Sequence, residues 1–213
     1  MQRLPIAAFK EYINTNFILD VRDSDVFKEA FIPGSIHIPL RKLAEWGSVL
    51  LSPDEPVLLV AEEGKEAQAA EAISLLGCKN ITGYLDGGFD AWLRAGEPID
   101  MIIDVEPDEL MMDIPFDDNL VVVDVRQPVE FAEGHLKDAV NMPLNDITDP
   151  VRMAQFEEAD NIYLHCGGGS RSVIAASLLK KNGIHNLHHI AGGWAGIKNE
   201  PRAQIVKEPD VLN

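Results

Sequence analysis

An internal repeat is the feature that most constrains how this chain can fold. Residues 20–40 and 124–144 align at a constant offset of 104 and share seven identities over 21 positions. About one identity would be expected by chance, so we read the two segments as copies of one duplicated unit. A second pair of matching segments, 87–89 and 192–194, follows in the same order at an offset of 105. We therefore predict two domains of one fold, in residues 1–100 and 101–213.

Within each unit, short apolar runs alternate with helical patterns. Residues 120–125 and 162–165 are typical of buried strands. Residues 173–181 have the spacing of a helix, and Gly183 is expected to end it. Strands that alternate with helices need crossover connections, which produce parallel sheets. The predicted fold class is α/β, with two tandem domains, each a mainly parallel sheet flanked by helices.

Charge and cysteine content exclude several classes of function. The net charge is −17, with 9 basic and 16 acidic residues in 1–100 and 9 and 19 in 101–213. Neither half offers a basic face, so we expect no nucleic-acid partner and no binding to anionic membranes. Two cysteines cannot build a disulfide framework, and the first ten residues lack the apolar segment of a signal peptide. We expect a cytoplasmic protein.

One loop in the second unit has the composition of a nucleophile site. Its glycines allow successive N–H groups to converge on one point, and the predicted helix behind it adds a positive dipole end. A cysteine at such a position is expected to exist largely as thiolate. We expect positive φ at the central glycine, and pairing of the loop arginine with an anionic substrate. The predicted catalytic residue is Cys166, and the predicted substrate-binding residues are Gly167, Gly168, Gly169, Ser170, Arg171 and Ser172.

The length of this loop separates two chemistries. Cysteine phosphatases need five residues between cysteine and arginine to hold a tetrahedral phosphate. Here four residues separate Cys166 from Arg171, and Ser172 stands where the phosphatase arginine would be. The smaller loop favours a single sulfur atom over phosphate. Phosphatase or arsenate-reductase chemistry stays as an alternative that a phosphate-ester assay would test.

Together these motifs resemble the rhodanese (sulfurtransferase) domain. The resemblance covers residues 105–198, and residues 1–100 resemble a second, decayed copy. The amino-acid sequence of the loop and the following helix is similar to the C-terminal tandem-rhodanese region of bacterial fusion proteins. Those proteins begin with a metallo-β-lactamase-fold persulfide dioxygenase. This chain has no His-x-His-x-Asp-His motif, so it carries no such metal centre itself. The motifs are 124–126, Glu130-Phe-x-x-Gly-His135-Leu, Pro143-Leu144, 166–172 and 192–194.

The resemblance implies that Cys166 takes sulfane sulfur as a persulfide and passes it to a thiol or cyanide. The implied donors are thiosulfate or a thiol persulfide, and the space left by three glycines favours the persulfide slightly. No cofactor and no metal are implied. The implied partners are small sulfur donors, thiol acceptors and a metallo-β-lactamase-fold domain in the same chain or operon. The alternative is a non-enzymatic sulfur-carrier or regulatory module, or a fragment of such a fusion.

The first unit is expected to be inactive. At its loop, Val60 or Ala61 occupies the cysteine position, depending on a one-residue gap. Three carboxylates there would repel an anionic donor. Phe31 replaces the histidine and Val26 the glutamate of the second unit. The carboxylates are those of Glu62, Glu63 and Glu66.

The remaining candidates favour structural roles. Asp124 and Arg126 follow a strand near the expected cleft and are predicted to form a scaffolding ion pair, with Glu130 and His135 also structural. Cys78 is expected to be a small buried hydrophobe. His165 either tunes the cysteine or points away from it. Trp92 and Trp194 are expected in the core, and the group of His185, His188 and His189 is not expected to bind metal.

Overall fold

The computed structural model describes residues 1–208, and its chain divides into two compact units, Met1–Met101 and Ile102–Asn213. The division falls one residue after the boundary predicted from the repeat. No helix in the described range is long and apolar enough to cross a membrane. The α/β fold class predicted from the sequence is confirmed in both units.

The first unit is a five-stranded parallel sheet with the strand order β1-β5-β4-β2-β3. Its central strand β4 is buried along its whole length, as expected for a strand covered on both faces. The strands are β1 (Gln2–Leu4), β2 (Phe17–Asp20), β3 (Ile36–His37), β4 (Val57–Val60) and β5 (Ile81–Leu85). The helices are α1 (Ile6–Tyr12), α2 (Ser24–Glu29), α3 (Leu43–Leu50), α4 (Glu66–Leu75) and α5 (Gly88–Arg94), with a 3-10 turn at Leu40–Lys42.

The second unit repeats this order as β6-β11-β10-β7-β9, again all parallel, and adds the antiparallel pair β8 and β12. The strands are β6 (Ile103–Val105), β7 (Leu120–Asp124), β8 (His135–Leu136), β9 (Val140–Asn141), β10 (Asn161–His165), β11 (Leu187–Ile190) and β12 (Ile205–Val206). The helices are α6 (Pro107–Asp113), α7 (Pro128–Ala132), α8 (Pro150–Met153), α9 (Ser170–Lys181) and α10 (Gly193–Ile197), with a 3-10 turn at Leu144–Asp146.

Helix α9 is the most deeply buried helix of the second unit. Nine consecutive residues, from Ser172 to Lys180, are buried, so the helix is covered on all sides rather than along one stripe. The helix ends at Lys181, and Asn182 is its C-cap residue. Gly183 follows with a φ of 90°, which takes the chain out of the helix. The predicted stop at Gly183 is confirmed. The first turn of α9 lies at the carboxyl end of the sheet, directly after the cysteine loop.

A buried ion pair lies at the same place in both units. Arg126 Nε donates to Asp124 at 2.9 Å, and its Nη2 donates to the Gly134 carbonyl at 2.8 Å. Its guanidinium lies 4.4 Å from the Trp194 ring centroid. In the first unit, Arg22 binds the Asp20 carboxylate and the Ala30 carbonyl and lies 4.0 Å from the Phe89 ring centroid. Both units keep these contacts, although only the second has a cysteine in its loop, and this favours a scaffolding role for the pair.

Of the two tryptophans predicted in the core, Trp92 is buried there and Trp194 is only partly buried. Trp92 is 3% exposed, packs in the apolar cluster of the first unit and donates from its indole to the Pro98 carbonyl at 2.8 Å. Trp194 packs against the corresponding cluster of the second unit. The His135 ring stacks on Phe131 with centroids 3.6 Å apart, and its Nδ1 lies 2.8 Å from the Phe131 carbonyl oxygen. These contacts with Phe131 are consistent with the structural role predicted for His135.

Candidate active site

Cys166 follows β10, the central strand of the second sheet, and α9 begins four residues later at Ser170. The side chain is 1% exposed, so it lies at the bottom of the loop rather than on the surface. The carboxyl ends of parallel strands form the edge where ligands of open α/β sheets bind. The strand, glycine loop and helix therefore place a thiol at the edge of the sheet where chemistry is expected.

The Cys166 sulfur accepts a hydrogen bond from the backbone. The Gly169 N–H donates to Sγ at 3.1 Å, and Gly169 is the residue that caps the N-terminus of α9. Ser172 Oγ lies 2.8 Å from the Gly169 carbonyl oxygen and 3.5 Å from Sγ, so its one proton can serve either acceptor. An amide donor and the start of a twelve-residue helix both favour negative charge on this sulfur.

The glycine with positive φ is Gly169, at 103°, and the expectation of positive φ at Gly168 is wrong. Gly168 is exposed, and a Cβ placed on it would meet no atom within 4 Å. A Cβ on Gly169 would lie 3.6 Å from His189 Nε2. The backbone conformation that only glycine adopts easily is therefore required where the chain turns its N–H towards the sulfur.

A second double-glycine turn holds the loop from the side of β11. The Trp194 N–H donates to the Cys166 carbonyl oxygen at 2.7 Å. Gly193 has a φ of 55°, and a Cβ there would overlap that same carbonyl oxygen. The close approach explains why the turn contains glycine, because any side chain would push the cysteine loop away.

Arg171, for which the sequence predicts pairing with an anionic substrate, forms a two-pronged ion pair with Glu130 in the structure. Its Nη1 donates to Glu130 Oε2 at 2.6 Å and its Nη2 to Oε1 at 2.8 Å. The guanidinium lowers the pKa of Glu130 to about 2, so this carboxylate is ionised at neutral pH. Glu130 also accepts from the Gln127 N–H at 3.0 Å and so caps α7. The sequence assigned Glu130 to the scaffold, whereas the structure brings it to the cysteine loop.

His165 is fully buried beside the scaffold ion pair. Its Nε2 lies 3.7 Å from Asp124 Oδ2, and its ring centroid lies 6.3 Å from that of Trp194. Burial lowers the pKa of His165 to about 4, the opposing effect of Asp124 being smaller. The imidazole is therefore neutral at neutral pH, and it contributes no positive charge to the neighbouring thiol.

The three histidines near β11 have separate surroundings. His188 stacks on Tyr163 with centroids 4.6 Å apart, and burial lowers its pKa. His189 Nδ1 lies 2.8 Å from Asp104 Oδ1, and His185 is exposed. Within residues 1–208 no group of three His, Cys, Asp or Glu side chains is placed to hold a metal ion.

The strand register settles which residue of the first unit stands at the cysteine position. Val60 lies opposite Asp20, as His165 lies opposite Asp124, so the residue after Val60 corresponds to Cys166. That residue is Ala61. Of the two positions that the sequence left open, the structure selects alanine.

The first unit keeps the shape of the loop around that alanine. Gly64 has a φ of 83°, matching Gly169, and a Cβ on Gly88 would approach the Ala61 carbonyl oxygen to 3.0 Å. A cleft of about 360 Å³ lies beside this loop, and Glu62 pairs there with Lys65. The loop geometry survives in the first unit without a side chain that can hold sulfur.

Cys78 follows α4 in the first unit. It is 1% exposed, its Sγ lies 3.7 Å from the Ser52 carbonyl oxygen, and burial raises its pKa. The predicted burial of Cys78 is confirmed.

We expect Cys78→Ser to leave the sulfur chemistry of the chain nearly unchanged, since a buried thiol with a raised pKa is a poor nucleophile. The rate of persulfide formation should stay within about twofold of wild type, although the buried hydroxyl should cost about 1–2 kcal/mol of stability. A large loss of activity in a variant with a normal circular dichroism spectrum would indicate that the chemistry takes place at Cys78 in the first unit and would contradict the assignment to Cys166.

Comparison with protein families finds a match along most of the chain. The family described as Rhodanese-like domain matches residues 6–95 and 102–200. A solved structure of a thiosulfate sulfurtransferase from Pseudomonas aeruginosa aligns with 98% of this chain and 44% of its own, at a TM-score of 0.46 and 19% identity.

Three relatives have similar sequences. A sulfurtransferase of Allochromatium vinosum is 28% identical over 98 residues, which are 45% of this chain and 90% of that one. A putative mitochondrial thiosulfate sulfurtransferase of Schizosaccharomyces pombe is 29% identical over 37% of this chain, and a putative sulfur carrier protein, YrkF, of Bacillus subtilis is 28% identical over 48%. The chain spans 63% and 56% of the lengths of these last two proteins.

Proposed function

The chain belongs to the rhodanese-like domain family, and on that premise we propose that its second unit is a sulfurtransferase that carries sulfane sulfur on Cys166. The observation that carries the proposal is the 3.1 Å hydrogen bond from the Gly169 N–H to Sγ at the start of α9. A site that favours negative charge on the thiol also favours it on the outer sulfur of a persulfide, which is itself an anion.

The proposed reaction has two steps. The Cys166 thiolate attacks the outer sulfur of thiosulfate, the S–S bond of the donor breaks, and sulfite leaves with the electron pair. The product is Cys166-S-S⁻. A thiol acceptor, as thiolate, then attacks the outer sulfur, forms an acceptor persulfide and regenerates the Cys166 thiolate. Cyanide would leave as thiocyanate. Neither step needs an oxidant or a metal, and the covalent intermediate predicts ping-pong kinetics.

The open space beside the loop supports one class of donor. Gly168 is exposed and faces open space, which leaves room for a donor bulkier than thiosulfate. We propose a thiol persulfide as the preferred donor and a low-molecular-weight thiol as the acceptor. A metallo-β-lactamase-fold persulfide dioxygenase domain, in the same chain or encoded beside it, is the proposed partner because it would act on the same persulfides. The first unit, with Ala61 at the cysteine position, is proposed to carry no sulfur.

A sulfur-carrier or regulatory role is the second candidate, and the burial of Cys166 favours it. A thiol that is 1% exposed can keep one sulfur atom away from stray acceptors. Turnover distinguishes the two roles. An enzyme releases many equivalents of product for each chain, whereas a carrier loaded once stops near one equivalent when no partner is present.

Intact-mass analysis tests the proposal directly. After exposure to thiosulfate or to glutathione persulfide, the chain should gain the mass of one sulfur atom, and peptide mapping should place it on Cys166. Addition of a thiol or cyanide should remove it. A gain on Cys78 alone, or no gain with either donor, would contradict the proposal. Hydrolysis of a phosphate ester would support the phosphatase alternative instead.

We expect Arg171→Ala to weaken the use of thiosulfate by about 1.5–3 kcal/mol, the range for a hydrogen bond to a charged group. Arg171→Lys should restore only part of this, because lysine keeps the charge but loses the planar pair of donors. The loss should fall on the loading step, where the donor is present, as rapid mixing would measure. A loss confined to the acceptor step would assign Arg171 a different role.

A further inference from the structure

Two arginine–carboxylate pairs beside the cysteine loop of the second unit differ in exposure. The Asp124–Arg126 pair is closed to solvent, with side chains 0% and 4% exposed. The Glu130–Arg171 pair is open to it, with side chains 34% and 22% exposed. An anion from solution can therefore reach Arg171, but only by competing with the carboxylate that already occupies both of its terminal nitrogens.

The repeat provides an internal control for the role of these pairs. The first unit keeps the buried pair as Asp20 and Arg22. It lacks both members of the open pair, since Val26 stands at the Glu130 position and Glu66 at the Arg171 position. Both units nevertheless form the same sheet with the same strand order. The fold does not require the open pair, which is present only in the unit that carries Cys166.

The open pair lies over the residue next to the nucleophile. A Cβ on Gly167 would lie 3.1 Å from Arg171 Nη2 and 4.0 Å from Glu130 Oε1. An anionic donor that approaches Cys166 therefore meets a carboxylate beside its path. Thiosulfate carries two negative charges within one small group, whereas the persulfide group of a peptide thiol persulfide carries one and the peptide's carboxylates lie several bonds from the reacting sulfur. The repulsion falls off with distance and so acts most strongly on thiosulfate.

We propose that Glu130 is a specificity-determining residue that competes with the donor for Arg171 and so disfavours thiosulfate relative to thiol persulfides. The proposal rests on sulfur transfer at Cys166. A thiosulfate sulfonate group must displace Glu130 before it can bind Nη1 and Nη2 together in a two-pronged geometry. A thiol persulfide has no sulfonate group beside its reacting sulfur, so it can react while the pair stays closed.

The charge-neutral variant Glu130→Gln tests the proposal. Glutamine keeps an oxygen that can accept from the Gln127 N–H, so the helix cap is retained while the competing charge is lost. We expect the thiosulfate concentration that half-saturates persulfide loading to fall roughly threefold to tenfold, with the limiting loading rate unchanged. Loading from glutathione persulfide should change less than about twofold.

Two matched variants separate this effect from a general change in charge. Glu133→Gln removes an exposed carboxylate near the end of the same helix and should leave the half-saturating concentration unchanged. In the Arg171→Ala background, Glu130→Gln should no longer improve thiosulfate use, because the group it competes for is absent. An equal improvement in Glu133→Gln, or one that persists without Arg171, would overturn the proposal.

A readout that needs no sulfur transfer distinguishes failure of this proposal from failure of the proposed function. Sulfate should protect Cys166 from alkylation by iodoacetamide at lower concentrations in Glu130→Gln than in wild type. If glutamine prevents folding, Glu130→Val supplies the residue of the first unit and is measured in the same way. Unchanged protection in the folded variant would overturn the role of Glu130. A chain that shows enhanced protection but takes up no sulfur would overturn sulfur transfer alone.

Discussion

Cys166→Ser is expected to reduce sulfur transfer by at least about three orders of magnitude, to the background of the assay. Serine fits the same space and can accept the Gly169 N–H, but its hydroxyl is not ionised at neutral pH and cannot hold a sulfur atom as a persulfide. The measurement is single-turnover loading, followed by intact mass, with thiosulfate and glutathione persulfide as separate donors.

The fold of that variant should remain intact. The buried side chain changes by one atom, so the thermal midpoint should shift by no more than a few degrees. Cys78→Ser is the matched control, since it makes the same change at a cysteine that is equally buried. Retention of more than a few per cent of wild-type transfer by Cys166→Ser would show that another group accepts the sulfur.

Gly169→Val is expected to lower the loading rate by roughly a hundredfold to a thousandfold, the usual cost of losing one preorganised donor. Its φ of 103° is closed to a β-branched residue, although a Cβ there would make only an ordinary contact with His189 at 3.6 Å. The loop must change its path, and the N–H that donates to Sγ moves with it. Loading kinetics and thermal unfolding should be measured on the same preparation.

Gly168→Val is the matched control for this variant. Its backbone has no positive φ, and a Cβ there meets nothing within 4 Å, so the loading rate should stay within a few-fold of wild type. Equal losses in both variants would indicate that bulk at the loop entrance, rather than the direction of the Gly169 amide, limits loading.

The fold could be predicted from the sequence because the information is local and is present twice. The apolar run before Cys166, the glycines and the helical pattern after them are consecutive, so their order alone places the thiol at the end of a strand and the start of a helix. The repeat then fixes two copies of one unit. The buried aspartate–arginine pair was also predictable, since its members are two residues apart and recur at an offset of 104.

Other features depend on distances that the sequence does not contain. Glu130 and Arg171 are 41 residues apart, and only the packing of α7 beside the cysteine loop brings them together. The absence of both residues from the first unit was the available signal. Three consecutive glycines do not reveal which one adopts positive φ. The choice between Val60 and Ala61 needed the strand register, because the offset between the units changes from 104 to 105 along the chain.

The complete burial of α9 has a consequence for how the site would pass through its cycle. A helix enclosed along nine residues cannot translate or tilt without opening the core, so the peptide dipoles of α9 behind the cysteine loop should keep their places through the cycle. The surroundings then need no reorganisation between thiolate and persulfide, because both place a negative charge before the same fixed dipoles. Loading and unloading would be limited by the diffusion and chemistry of small thiols, with mobility needed only in the side chains at the entrance.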